Sequence, residues 1–82
     1  MFDGLVLTLM RDKHQKDTYH VFLLDLVTEN YQFIRTLDAM TEDDAKLWTV
    51  KLANHHPDEF HKDTESLGKW IDSQIKKDER SA

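Results

Sequence analysis

The sequence predicts an α+β fold in which a three-stranded antiparallel β-sheet is followed by two helices packed on one of its faces, in the order βββαα. Before residue 38, the apolar residues form short runs that fill both faces of an extended chain, which is typical of buried β-strands. After residue 41 they recur at three- and four-residue spacing, which is the periodicity of helices. The capping signal TEDD at 41–44 separates the two halves.

Length and composition predict one domain over residues 1–82. The chain has 39% apolar and 33% charged residues, which suffices for one core and is unlike the composition of a disordered chain. We assign residues 1–38 to a β-sheet half, 41–77 to a helical half and 78–82 to a flexible polar tail. Because a domain of this size buries only about 60% of its unfolded surface, a homodimer would add stability.

Three strands are predicted, at residues 5–10, 19–27 and 31–37. The polar stretch HQKD at 14–17 marks a hairpin between the first two, and TEN at 28–30 marks the next turn. The middle strand is apolar on both faces, so it needs cover on both. Alternation places Phe22, Leu24 and Leu26 on one face and the remaining apolar residues, Tyr19, Val21, Leu23 and Val27, on the other.

Strict alternation places Tyr31, Phe33 and Arg35 on one face of the third strand. Since two helices can cover only one face of the sheet, the other face is predicted to bind a protein partner. The contact residues predicted for that face are Tyr19, Val21, Tyr31, Phe33 and Arg35.

The first helix is predicted to begin at a Thr41 cap and to end near Asn54, because Pro57 disfavours helical geometry in the residue before it. Its apolar stripe consists of Ala45, Trp48 and Leu52, widened by Leu47 and Val50.

The second helix is predicted to be capped by Asp63 or Thr64 and to run to residue 77. Its apolar residues, Leu67, Trp70, Ile71 and Ile75, share one face. Between the helices, PDEFH at 57–61 favours a short helical turn.

The interhelical segment NHHPDEFHKD at 54–63 concentrates histidines and carboxylates. Its candidate metal ligands are His55, His56 and His61, which suit zinc, manganese or iron. His56 and His61 are five residues apart with a proline between them, whereas helical histidine pairs that bind metal are four apart. We therefore interpret the segment as a connector between helices and keep a metal-dependent enzyme or metal-regulated binder as an alternative.

No familiar catalytic pattern is present. The chain contains no cysteine, and its two glycines, Gly4 and Gly68, do not form a phosphate-binding loop. No serine stands in a nucleophile motif. We expect no enzymatic activity and no cofactor.

The net charge of −5 is spread over both halves of the chain, which argues against direct nucleic-acid binding. A second alternative is an acidic nucleic-acid mimic that uses the carboxylates of TEDD with Asp58, Glu59, Asp63 and Glu65. The chain shows neither a secretory leader nor an apolar run of about 20 residues, so we expect a cytoplasmic protein without membrane insertion.

Taken together, these patterns favour a small non-enzymatic protein-interaction module that acts as a regulator, inhibitor or adaptor. Small acidic chains without cysteine are common among accessory proteins of phages and bacteria, which is an analogy of size and composition.

Overall fold

The computed structural model describes residues 4–56 and 63–81, with residues 78–81 described by their backbone alone. Three antiparallel strands form one sheet in the order β1-β2-β3, with β1 at Leu5–Arg11, β2 at Tyr19–Asp25 and β3 at Asn30–Leu37. Helix α1 at Glu42–Asn54 and helix α2 at Thr64–Ser81 follow. This element order confirms the predicted α+β fold.

The two helices pack on one face of the sheet, α1 against β1 and α2 against β3. From α1, Trp48 and Leu52 enter the core, and from α2 the fully buried Leu67 and Ile71 do so. Burial of these side chains against the sheet supplies the main apolar contribution to stability. The sheet side of the core consists of Leu7, Tyr19, Val21, Leu23, Ile34 and Leu37.

β2 alternates as predicted. Val21 and Leu23 lie under the helices with 0% and 4% exposure, while Phe22 and Leu24 point to the opposite face and are half-buried. Both faces of this central strand are therefore apolar, and the described helices cover one of them.

β3 contains a bulge that the predicted alternation missed. Its pairing with β2 shifts by one residue: Val21 pairs with Arg35 whereas Phe22 pairs with Phe33, so Ile34 is an extra residue in β3. Directly opposed residues in antiparallel strands share a face. The prediction that Phe33 and Arg35 lie on one face is therefore wrong, because Arg35 lies under α2 while Phe33 lies on the other side of the sheet.

The turn between β2 and β3 begins two residues earlier than predicted. The Asp25 carboxylate accepts hydrogen bonds from the backbone N–H groups of Val27 at 2.9 Å and Thr28 at 3.3 Å. Glu29 adopts a positive φ of 60° and donates its N–H to the Asp25 carbonyl at 2.7 Å. Asp25 thus ends β2 by offering the backbone turn-forming hydrogen bonds, which Asp side chains readily provide.

α1 begins at the predicted cap and ends at the predicted residue. The Thr41 hydroxyl accepts from the Asp44 N–H at 3.1 Å, and the Asp44 carboxylate accepts from the Thr41 N–H at 3.3 Å. This reciprocal capping box satisfies two N–H groups at the start of the helix. The last helical residue is Asn54.

The outer side of α1 carries two exposed apolar residues. Leu47 and Val50 are 64% and 59% exposed, so the prediction that they widen the buried stripe is wrong. Ala45, Trp48 and Leu52 already form the face that contacts the sheet.

α2 is capped by Asp63, whose carboxylate accepts from the Ser66 N–H at 2.7 Å. This resolves the choice between Asp63 and Thr64 in favour of Asp63. The helix continues to Ser81, four residues beyond its predicted end. The turn predicted at 57–61 lies outside the described residues.

Arg35 crosses from the sheet to α2. Its Nε and Nη2 donate to the two carboxylate oxygens of Asp72 at 3.2 and 3.3 Å, and its Nη1 donates to the Ile34 carbonyl at 2.9 Å. A Cβ atom on Gly68 would lie 2.6 Å from the guanidinium carbon of Arg35. Gly68 therefore leaves the space in which the guanidinium rests on the helix.

We expect Thr41→Ala to lower the free energy of unfolding by about 1 kcal/mol, because an N–H at the start of α1 loses its side-chain acceptor. Urea titration monitored by circular dichroism measures this change. Thr49→Ala is the matched control, since the Thr49 hydroxyl donates to the Ala45 carbonyl within α1 and leaves no helix-end N–H unpaired. Equal destabilisation by the two substitutions would contradict the capping role.

Gly68→Ala should show an effect that depends on Arg35. Replacing a helical glycine by alanine ordinarily stabilises by about 1 kcal/mol, but here the new Cβ displaces the guanidinium from Asp72. We expect the full gain in an Arg35→Ala background and a smaller gain, or a loss, in the otherwise native chain. Urea unfolding of the four proteins measures the difference, which we expect to be about 0.5 kcal/mol or more; identical effects in both backgrounds would contradict the contact.

Candidate protein-binding face

The face of the sheet opposite the helices is a grid of three rows across three strands, which we call the open face. Strand pairing defines each row, with one residue from β1, one from β2 and one from β3. Its members are Met10, His20 and Thr36 in the first row, Thr8, Phe22 and Phe33 in the second, and Val6, Leu24 and Tyr31 in the third.

Aromatic rings dominate the centre of the open face. Phe22 makes edge-to-face contacts with Phe33 at 5.9 Å and with Tyr31 at 6.1 Å between ring centroids. His20 makes similar contacts with Phe22 at 6.4 Å and Phe33 at 6.2 Å. Such pairs are favourable beyond the area that they bury, so the rings form one connected apolar surface.

This surface is accessible to solvent. Tyr31 and Phe33 are 56% and 55% exposed, and Val6 and Met10 are 39% and 45% exposed. None of the nine side chains of the grid is Lys, Arg, Asp or Glu, although a third of the residues in the chain are charged. A contiguous apolar patch without charge is typical of the centre of a protein interface.

His20 is held at the margin of the open face by two hydrogen-bonding partners. Its Nε2 lies 2.7 Å from Oδ2 of Asp12, and its Nδ1 lies 2.9 Å from the Thr36 hydroxyl oxygen. The carboxylate can only accept, so Nε2 carries a proton, while the hydroxyl can donate to Nδ1 or accept from it. The ring therefore keeps both partners whether it is neutral or protonated.

Asp12 also organises the loop between β1 and β2. Its Oδ1 accepts from the backbone N–H groups of His14 and Gln15, both at 2.8 Å. The Gln15 N–H, the His20 ring and the His14 N–H, in that order, hold the pKa of the Asp12 carboxyl well below its usual range. One ionised carboxylate thus fixes the loop and the edge of the open face together.

The series Asp12, His20 and Thr36 has the carboxylate, imidazole and hydroxyl order found in hydrolytic triads. Catalysis also needs hydrogen-bond donors aimed at a developing oxyanion. Thr36 lies in β3, and the N–H groups of a strand lie in the plane of the sheet, away from a substrate on its face. We therefore interpret the series as a means of orienting His20.

The five residues predicted to bind a protein do not lie together. Tyr31 and Phe33 are on the open face, but Tyr19 and Val21 are buried beneath the helices with 9% and 0% exposure. Arg35 is on the covered side, paired with Asp72. The bulge at Ile34 explains the separation, because it reverses the alternation of β3 halfway along the strand.

The other side chains of the open face were not among the predicted contact residues. Phe22 was assigned correctly to the face opposite Val21, and only the error in β3 kept it from being grouped with Tyr31 and Phe33. The signal that would have found it is cross-strand pairing of aromatic residues, which favours Phe22 opposite Phe33.

Two of the candidate metal ligands, His55 and His56, directly follow the last residue of α1. The half-buried His55 ring stacks on Trp70 with centroids 3.7 Å apart and planes 13° apart, while His56 is exposed. His61 lies outside the described residues. Within residues 4–56 and 63–81, no group of three or more His, Asp or Glu side chains is placed to hold a metal ion.

Three of the acidic residues proposed for nucleic-acid mimicry have local roles in the helices. Asp44 accepts a hydrogen bond from the N–H of the Thr41 cap of α1, Asp63 caps α2, and Glu65 pairs with Lys69 at 3.4 Å one turn along α2. Asp58 and Glu59 lie outside the described residues.

Neither described helix is both long enough and apolar enough to cross a membrane. Comparisons with protein-family models, with curated proteins and with solved structures found no match to this chain.

Asp12→Asn should lower the melting temperature at pH 7, because the variant loses the charge that the loop N–H groups and His20 stabilise. The folded-state pKa of Asp12 is depressed, so this contribution is present above the unfolded pKa of about 3.9 and is lost as pH falls below it. We expect the difference in melting temperature between the two proteins to be constant from about pH 7 to 5 and to shrink below about pH 4.

Thermal melts followed by circular dichroism across this pH range provide the measurement. Asp38→Asn is the control, since it removes the same charge from an exposed carboxylate between β3 and α1. A difference for Asp12→Asn that persists unchanged at pH 2 would show that the carboxylate charge is not responsible.

Proposed function

We propose that this protein is a small non-enzymatic interaction module that binds another protein through the open face and thereby acts as a regulator, inhibitor or adaptor. The observation that supports this function is the exposed, charge-free aromatic surface of Phe22, Tyr31 and Phe33 on a sheet whose other face carries the core.

The charge distribution favours a protein over a nucleic acid as the ligand. A sheet that stacks single-stranded bases pairs its aromatic residues with nearby cations that contact the phosphates. Arg35 is on the covered side with Asp72, and Arg11 pairs in register with Tyr19, whose side chain also faces the helices. The aromatic surface therefore has no cation within its grid.

The packing of the open face also suits protein recognition. Its side chains lie on paired strands, and contacts between the rings restrict their rotamers, which lowers the side-chain entropy lost on binding. A cytoplasmic location fits a chain that contains no cysteine and forms no disulfide.

Phe33→Asp should abolish binding of the partner, because it places a charge at the centre of an apolar interface. Loss of an aromatic anchor typically costs about 2 kcal/mol or more, which is at least about 30-fold in affinity. The measurement is affinity capture from the host with the protein tethered at low density, followed by binding of the captured protein in purified form.

Val50→Asp is the matched control, since Val50 is an apolar residue of similar exposure on the outer side of α1. We expect this variant to bind as the native chain does. Equal binding by Phe33→Asp and the native protein would reject the open face as the binding surface.

A further inference from the structure

We infer that the open face is occupied by a second copy of this chain, which forms a two-fold symmetric dimer in which the two sheets pack face to face. This inference rests on the proposed function, because it takes the open face to be a protein-binding surface, and it names a second copy as the occupant with which any other protein partner competes. Three properties of the face support it: its width, its accessible area and its lack of charge.

The width of the open face matches a second three-stranded sheet. Strands lie about 4.8 Å apart, so three strands with their side chains present a surface roughly 14 Å wide. The contacting ridge of one helix is narrower than its overall diameter of about 10 Å and would leave an outer strand uncovered. A second copy covers all three strands, including Met10 on β1 and Tyr31 on β3.

The accessible area is close to what a specific dimer needs. A fully exposed aromatic side chain offers roughly 200 Å². With Val6, Met10, Tyr31 and Phe33 at 39–56% exposure and most of the other five residues half-buried, the grid offers on the order of 600 Å². Two copies would together bury about 1,200 Å², which is the lower limit for specific protein interfaces. Interfaces at this lower limit are typical of weak complexes, and we expect a dissociation constant in the micromolar range.

Charge permits self-association at this face and disfavours it elsewhere. Each copy carries a net charge of −5, so two copies repel each other on average. The grid contains no carboxylate, and the nearest one described, Asp12, is already bonded to His20 and to the loop backbone. On the open face, therefore, two copies can meet without bringing like charges together.

Symmetry places Phe22 at the centre of the interface. A two-fold axis that lies between the two sheets and passes over the middle of the grid brings each residue against its symmetry mate in the reversed row or strand. Phe22 occupies the central strand and the central row, so it packs against Phe22 of the other copy.

Sedimentation velocity over a dilution series from about 1 to about 500 µM tests the dimer, since this range brackets micromolar dissociation constants. The native chain should pass from monomer to dimer with rising concentration. Phe33→Asp should remain monomeric throughout, while Val50→Asp should dimerise as the native chain does. Circular dichroism confirms that each variant is folded.

Salt dependence distinguishes a second copy from a basic partner. Because two copies carry the same net charge, raising the salt concentration should strengthen the dimer by screening their repulsion.

In an amide spectrum recorded over the same dilution series, resonances of Phe22, Phe33 and Leu24 should shift, and those of Leu47 and Val50 should not.

A native chain that stays monomeric up to the highest concentration would overturn the inference, and so would a dimer that Phe33→Asp leaves intact. If the native chain is monomeric and a captured host protein is lost with Phe33→Asp, the proposed function stands and the second copy is rejected. If capture is also insensitive to Phe33→Asp, both are rejected.

Discussion

β2 carries apolar side chains on both of its faces, and this constraint determines the arrangement of the rest of the molecule. Val21 and Leu23 need cover that α1 and α2 provide with Trp48, Leu52, Leu67 and Ile71. Among the residues that the structure describes, Phe22 and Leu24, on the reverse of the same strand, are covered only by the neighbouring side chains of β1 and β3. The strand at the centre of the core therefore also contributes the centre of the open face.

The bulge at Ile34 allows β3 to serve both sides of the sheet. Before the bulge, Tyr31 and Phe33 extend the aromatic surface begun by Phe22. After it, Arg35 and Leu37 face the helices, and Ile34 itself is buried. A β3 without the extra residue would have placed either the aromatic rings or the guanidinium on the wrong side, because side chains alternate strictly along a regular strand.

Sequence periodicity predicted the order of the elements, the apolar alternation of β2, the Thr41 cap and the end of α1 at Asn54. Each of these depends on residues close together in the chain, such as a hydroxyl and a carboxylate three positions apart. The face of Arg35 could not be predicted, because a bulge depends on pairing with β2 and leaves no mark on local alternation. Leu47 and Val50 fitted a helical stripe equally well, and only the packing of α1 on β1 decides that they remain exposed.

The site was predicted in part for the same reason. Tyr31 and Phe33, two of the predicted contact residues, lie on the open face, whereas Tyr19 and Val21 were predicted to lie beside them through the uninterrupted alternation assumed for β3. The series Asp12, His20 and Thr36 joins residues that are 8 and 16 positions apart in the chain, so their spacing gave no signal. Only the register of the whole sheet brings the three side chains together.

The contact between Arg35 and Gly68 also constrains how this sequence can diverge. A side chain at position 68 and a guanidinium at position 35 compete for the same space, so the order of substitutions matters. A lineage that first replaces Arg35 by a shorter residue opens position 68 to alanine, which then strengthens α2. A lineage that changes Gly68 first loses the ion pair to Asp72 and keeps at most part of the helical gain, so descendants are expected to change these two positions together.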